Sequence, residues 1–404
     1  MNKIKIAVLR EGKNPPDKRV PFTPEQCKEL IDTFPGVDLY VQPSPIRCFP
    51  DEAYSSLGIQ MKEDISDCDV LIGVKEVPVK DLIPNKTYLY FSHTHKLQPY
   101  NRKLIQQMIS DNIRMIDYEC LTYPKGGRVL GFGRFAGIVG AYNTFLTYGK
   151  KYNTYDLKAA NACFDMKEML GELDKVVLDK KKIVLTGNGR VAKGALEILQ
   201  ALNLRSVTVE EYLNNEFDET VYCQIDVDKY NMLPDGTPFD KKHFYKNGEM
   251  YVSNFERFTK VSDIFIAGHF WDNKSPVFFT KEQAASQDFK IKVIGDVSCD
   301  IACAIPSTLR PSTIADPIYD YDPVTGQEAT ALGKETISVM AVDNLPCELP
   351  KDASKDFGRH MLDHILPQFF NDDDGDILMN ATLCMSGELS ARYSYMEEFV
   401  TTGV

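Results

Sequence analysis

Two apolar runs in the N-terminal third of the chain end in side chains that can move protons. Lys75 closes the run Val70–Val74 in LIGVKEVP, and His93 follows Tyr88–Phe91 in YLYFSHTHK. Both runs read as strands, and in open α/β sheets ligands gather beyond the carboxyl ends of the strands. A lysine placed there is partly withdrawn from water, which lowers its pKa towards one useful in a proton acceptor. Histidine titrates near neutrality without help. Taken singly, each has an ordinary structural reading, a snorkelling lysine and a hydrogen-bonded core histidine. As a pair at equivalent strand ends they become candidates for acid–base work. Arg19, in DKRVPFTP, and Arg128, in GGRVLGFG, lie on loops beside strands, where a guanidinium can grip a carboxylate at two points or form a surface salt bridge.

A second constellation lies further along. The β-branched run Lys182–Thr186 passes directly into GNGRVAKGALEILQAL. Gly187, Gly189 and Ala192 there make the G-x-G-x-x-A form of the dinucleotide fingerprint. The first glycine permits the tight turn, the second lets backbone approach a pyrophosphate, and the small third residue lets helix pack on strand. Arg190, in the same turn, joins the cofactor-binding candidates. Glu210, read as closing a strand Ser206–Val209 about twenty residues on, would bond the ribose hydroxyls and favour NAD over NADP. The alternative is that Glu210 and Glu211 are solvated charges opening an inserted segment. Asp296 and Asp343 terminate or follow later strands, so they are candidates for the crevice that holds the cofactor, or for capping roles.

These residues need two sheets to position them. In the first 130 residues, Ile4–Leu9, Val37–Val41, Val70–Val74, Tyr88–Phe91 and Ile113–Asp117 read as strands, with helical spacing over Thr23–Thr33 and Leu97–Ser110. Thr23, Pro24 and Gln26 make a capped helix start. GIVGAYNTFLTYGK reads as a long helix leading into a second domain. Residues 212–259, polar and aromatic, read as an insertion, and strands resume at Asp263–Ala267 and Lys292–Asp296. Helical segments at Lys351–Ile365 and Leu389–Phe399 return to the first domain. The expected fold class is therefore α/β, with two Rossmann-like domains built on parallel sheets and an active-site cleft between them. Residues 1–140 with 344–404 form the substrate domain, and residues 141–343 form the dinucleotide domain.

Composition narrows the function classes. The 404 residues carry 46 Lys plus Arg against 58 Asp plus Glu, a net charge of −12, with 43% hydrophobic residues. Such a chain repels phosphate backbones and anionic bilayers, so no nucleic acid and no membrane partner is expected. It carries no run of apolar residues long enough to span a bilayer and no signal-peptide pattern, which points to the cytoplasm. The ten cysteines include no C-x-x-C pair. Cys299 and Cys303 lack neighbouring ligand histidines, so no metal site is expected.

LIGVKEVP, KTYLYFSHTHKLQ, IRMIDYE, GRVLGFGRFAG, VLTGNGRVAKGA, IGDVSCD, STIADPIYDYD and AVDNLPCELPKDAS together resemble the lysine-forming saccharopine dehydrogenases. The resemblance is strongest to the lysine-ketoglutarate reductase domain of bifunctional lysine-degrading enzymes. It extends more distantly to alanine dehydrogenase and the N-terminal part of transhydrogenase. It runs from about Ile4 to Tyr395. It implies reversible condensation of lysine with 2-oxoglutarate to an imine that NAD(P)H reduces to saccharopine, with Lys75 and His93 as the acid–base pair. It further implies that Arg19 and Lys96 hold substrate carboxylates, that Glu76 and Glu119 tune the local charge, that Arg128 lies near substrate and cofactor, and that Asp343 closes the site. The reductase domains commonly use NADPH, whereas Glu210 points to NAD. An alanine dehydrogenase-like enzyme and a non-catalytic nucleotide sensor are the alternatives, and the sequence leaves monomer or homo-oligomer open.

Overall fold

The computed structural model describes residues 3–14, 16–301, 303–330 and 332–402. Its compact units are Met1–Phe132 with Pro350–Val404, and Gly133–Leu349. The helix Gly133–Tyr152 packs on the helix Arg190–Ala201 and belongs to the second unit, whose bounds fall at 133 and 349 in place of the expected 141 and 343.

In the first unit, β1 (Ile4–Val8), β2 (Val37–Val41), β3 (Gln60–Met61), β4 (Val70–Lys75), β5 (Thr87–Phe91) and β6 (Arg114–Asp117) form a parallel sheet in the order β3-β2-β1-β4-β5-β6. A C-terminal hairpin, Thr382–Met385 with Glu388–Leu389, adds antiparallel to β6. Strands covered on both faces read as continuous apolar runs. In β4 all residues are buried except Lys75 at its end. Thr23 caps the helix Pro24–Thr33 in a complete capping box with Gln26. Leu97–Ser110 is helical only over Arg102–Ser110, since Leu97 sits at φ 58° and Pro99 starts a separate 3₁₀ turn. The returning helix Pro350–His360 is tied to the first unit by Val20 N, which donates to Ser354 Oγ at 2.9 Å.

The second unit centres on β7 (Lys182–Thr186), with β8 (Arg205–Ser206), β9 (Val221–Ile225), a small ribbon of β10 (Asn231–Met232) and β11 (Val252–Ser253), then β12 (Ile264–Ala267), β13 (Val293–Asp296), β14 (Ile318–Asp322), β15 (Gln327–Ala329) and β16 (Ile337–Met340). The sheet order is β8-β9-β7-β12-β13-β16-β14-β15, parallel except at β14 and β15. Residues 212–259 are therefore not simply an insertion. They supply β9, which pairs with β7 along its whole length, and its VYCQI sequence was hidden by the polar segments on either side.

Two glycines set the helix spacing in this unit. A Cβ on Gly137 would lie 1.8 Å from the carbonyl oxygen of Val191, and one on Gly194 would lie 1.9 Å from that of Arg134. The helices Gly133–Tyr152 and Arg190–Ala201 thus touch backbone to backbone. Among the described residues, no helix is long and apolar enough to cross a membrane. Gly194→Ala should destabilise the chain by about 1–3 kcal/mol or more through overpacking. Gly171→Ala, whose Cβ would meet nothing within 4 Å, should be neutral or stabilising by up to about 1 kcal/mol. Urea unfolding of both variants checks the contrast.

Candidate functional site

The first unit's strand order reverses between β1 and β4, and the loops leaving these two strands diverge there. Glu11, just past β1, bridges the opening by accepting from the amides of Val74 (Oε1, 2.7 Å) and Lys75 (Oε2, 2.9 Å). This carboxylate anchors the loop 9–19 against the end of β4. Withdrawal from water pushes the Glu11 pKa up to about 8, against its two amide donors. The loop carries Lys13, Asp17 and Arg19 up to Lys75. Burial, then the nearby charges of Arg19 and Lys13, lower the Lys75 pKa from its ordinary value, opposed by Asp17 and Glu76. Lys75 lines a cavity of about 360 Å³ with Glu11, Gly12, Gln42, Pro78 and Tyr88.

Lys75 pairs in register with Phe91, so the segment beyond β5 leaves the sheet beside the end of β4. His93 there adopts φ 56°, a left-handed conformation that costs a non-glycine residue energy and recurs at functional sites. Its Nδ1 lies 3.7 Å from Glu76 Oε2, while Lys13 Nζ contacts Glu76 Oε1 at 2.5 Å. Burial opposes ionisation of Glu76, yet His93 and Lys13 hold its pKa down at about 2. Lys75, Glu76 and His93 thus share one cluster.

A second cluster occupies the next strand ends. Glu119 contacts Lys96 Nζ at 2.9 Å, Arg128 Nη1 at 3.5 Å and His95 Nε2 at 3.5 Å. Buried Asp117 holds the turn after β5 by accepting from the backbone amide and hydroxyl of Ser92. Arg19 departs from the role of a two-point clamp for substrate. Its Nε and Nη2 already grip Asp17 at 3.0 and 2.6 Å, and its guanidinium stacks 4.1 Å from the Phe132 ring centroid, with the side chain 2% exposed.

In the second unit, Gly187 has φ 97°, and a Cβ there would meet the Gly268 carbonyl oxygen at 2.6 Å, so the turn admits only glycine. Gln224 Nε2 pins the turn by donating to Gly187 O at 2.9 Å. Gly189, the N-cap of the helix Arg190–Ala201, has no side-chain cap, and a Cβ on it would meet nothing within 4 Å. The helix start therefore opens onto a space that a phosphate can enter, with exposed Arg190 beside it and buried Ala192 against Gly268. These residues fit a dinucleotide's pyrophosphate.

Two cofactor candidates need correction. Glu210 does not close a strand: β8 ends at Ser206, on the sheet edge, and Thr208 caps the helix Val209–Asn214, with Glu210 in its first turn. The strand beside β7 is β9, so the acid beyond its end is Asp226, which the Asn188 side chain of the glycine turn and Lys241 Nζ (2.9 Å) both contact. Asp296 is fully buried and spends both oxygens on its own turn, accepting from Ser298 N and Oγ, Cys299 N and Thr308 Oγ1, so it caps rather than faces a ligand. Asp343 is exposed beyond β16. Sequence reading missed Glu11, Lys13, Asp17, His95 and Asp226, because only the third dimension sets them beside the candidates. The raised Glu11 pKa has a sign that can be measured. Between 4.5 and about 8 the folded chain holds a proton that the unfolded chain has lost, so stability falls as pH rises through this window. Glu11→Gln, which keeps the neutral shape, should remove that fall, as thermal melts across the window would show.

Residues 7–139 match the family described as "Alanine dehydrogenase/PNT, N-terminal domain". The chain is 27% identical to an alpha-aminoadipic semialdehyde synthase of Arabidopsis thaliana, over 97% of its own length and 41% of that protein's. It spans less than half of that relative. It is 25% identical to a saccharopine dehydrogenase [NAD(+), L-lysine-forming] of Emericella nidulans, covering 89% of this chain and 90% of that one. In three dimensions it is similar to an L-alanine dehydrogenase, with a TM-score of 0.65 at 16% identity, covering 98% of this chain and 100% of the other, a likeness of fold. The resemblance to the saccharopine dehydrogenases thus holds along most of the chain, and over residues 7–139 the chain is also similar to the alanine dehydrogenase/PNT N-terminal domain family.

Proposed function

We propose that the chain is a nicotinamide-dependent oxidoreductase acting on the CH–NH bond of saccharopine, reversibly joining lysine and 2-oxoglutarate. The observation that carries this reading is the convergence of Lys75, its pKa lowered, with Glu76 and His93 at adjacent strand ends. The full-length similarity to a protein named as a saccharopine dehydrogenase supports it. That the chain is a dehydrogenase is the broader part of the proposal, and saccharopine is the finer part.

In the oxidative direction, the neutral amine of Lys75 accepts the proton of the secondary ammonium of saccharopine, leaving the nitrogen lone pair free to form the imine. A nicotinamide cofactor, held at the Gly187–Ala192 turn, would supply the acceptor for the hydride of the glutaryl α-carbon. His93 then passes protons to and from water as the imine hydrates to a carbinolamine and releases lysine and 2-oxoglutarate. Lys96 and Arg128, both held by Glu119, are the cations that face substrate carboxylates, and Arg19 with Asp17 positions the loop beside Lys75. Gly187, Gly189, Arg190 and Ala192 hold the pyrophosphate. Asp226 takes the ribose-binding role expected of Glu210, which favours NAD.

Mixing the protein with NADH or NADPH, 2-oxoglutarate and lysine should give lysine-dependent oxidation of the cofactor, faster with NADH. Turnover with pyruvate and ammonia instead would replace the reading by the alanine dehydrogenase type, which the family match over residues 7–139 favours. Lys75→Met should slow turnover by about 10²–10⁴-fold, the usual contribution of a general acid–base group, with NADH affinity unchanged. Gly189→Val places its side chain in open space, so it should keep the melting temperature while abolishing NADH binding measured by fluorescence.

A further inference from the structure

Outside the glycine turn and the Lys75 cluster, one group of side chains among the described residues has the chemistry of a metal site. His95, Asp117 and Cys120 come from the turn after β5, the end of β6 and the 3₁₀ turn that follows it. One ligand atom from each lies within 4.8 Å of the others. Asp117 is fully buried, and His95 and Cys120 are half-buried. The buried Nδ1 of His95 makes no hydrogen bond. It stands 3.9 Å from Asp117 Oδ2, too far for a hydrogen bond. Two ligands of one tetrahedral zinc, bonded at about 2.0–2.3 Å, stand roughly 3.3–3.8 Å apart, so the gap is close to the span of a shared ion.

We propose that His95, Asp117 and Cys120 form a zinc-binding site with one position left open to water. The donor set selects the metal: one sulfur, one imidazole and one carboxylate suit zinc, whereas magnesium and calcium require oxygen ligands. The Asp117 carboxylate is already oriented by Ser92 and by the Glu119 amide, which donates to Oδ1 at 2.7 Å, the kind of outer support that metal-bound carboxylates carry. On binding, zinc takes the Cys120 sulfur as a thiolate and releases its proton. With Nδ1 bound to the ion, the ring is fixed where its Nε2 stands 3.5 Å from Glu119, which also holds Lys96 and Arg128. The ion also ties the turn carrying His93 and Lys96 to the end of β6. Zinc is accordingly an inhibitor of the activity proposed above, although its binding does not depend on that activity being correct.

The test uses cobalt(II) as a spectroscopic stand-in, titrated into the metal-free full chain under reducing conditions. Cobalt bound by a cysteine gives a sulfur-to-metal charge-transfer band in the near ultraviolet. The wild type should develop this band with about one equivalent of cobalt, and zinc should erase it. Cys120→Ser should abolish the band, His95→Gln should weaken cobalt binding at least about tenfold, since each lost ligand removes one of three protein bonds, and Cys163→Ser should change nothing. Circular dichroism establishes that each variant is folded. A zinc-dependent rise in melting temperature in wild type, absent from Cys120→Ser, is the second readout. No band in the wild type, or a band unchanged in folded Cys120→Ser, overturns the site. Zinc binding without loss of turnover would overturn the inhibitory role alone.

Discussion

The first unit's chemistry depends on one interaction, the bridge from the Glu11 carboxylate to the amides of Val74 and Lys75. The β4–β5 register shifts between Ile72 and Lys75, so the Val74 amide turns from the ladder to Glu11. Buried amides need acceptors, and β1, whose pairing with β4 ends at Val8 and Ile72, supplies none this far along the strand. Glu11 meets that need for both and draws the loop after β1 onto the end of β4. The lowered pKa of Lys75 follows, first from its burial and then from the charges of Arg19 and Lys13 that the same loop delivers. Asp17 keeps this crowd of cations tolerable by pairing two-point with Arg19, both side chains nearly wholly buried.

The second unit solves a comparable problem with backbone. Its strand ends leave the amides at the start of the helix Arg190–Ala201 without a capping side chain. Gly187 is fixed by its positive φ, by the closeness of Gly268 and by Gln224, so the turn is rigid while its outer face stays open. A rigid helix start with no capping side chain and an open outer face at Gly189 is suited to an anion. The Gly137 and Gly194 contacts fall on Val191 and Gly194, in the first turns of this helix, and so hold its start in place.

Much of this was legible in the sequence where local signals were strong. The runs Val37–Val41 and Lys182–Thr186 are strands over those same residues, and Thr23 caps its helix with Gln26. The similarity to saccharopine dehydrogenases was carried by ordered motifs that no single spacing would reveal. What escaped depended on long-range pairing. Ser206–Val209 looked like the second strand of a dinucleotide fold, but Thr208 and Glu211 form a capping box that starts a helix there. The pairing with β7 went instead to Val221–Ile225, flanked by polar residues. This moved the ribose candidate from Glu210 to Asp226. The C-terminal strand Thr382–Met385 was equally hidden, since its pairing partner on β6 is Arg114–Asp117, more than two hundred residues earlier. Arg19 and Asp296 show the other limit, because residue type marks a charge and only the fold shows which partner already holds it.

The central claim is that Lys75 is a desolvated amine surrounded by positive charge, and competitive acetylation across a pH series measures this directly. Trace labelling of the folded chain, followed by peptide mass spectrometry, gives a titration curve for each lysine. Lys75 is expected to titrate clearly below the ordinary value of 10.5, and the same peptide labelled after the chain is unfolded serves as the reference. A Lys75 curve superimposable on that reference would contradict the account, because the cluster at the ends of β1, β4 and β5 would then hold an ordinary surface ammonium group.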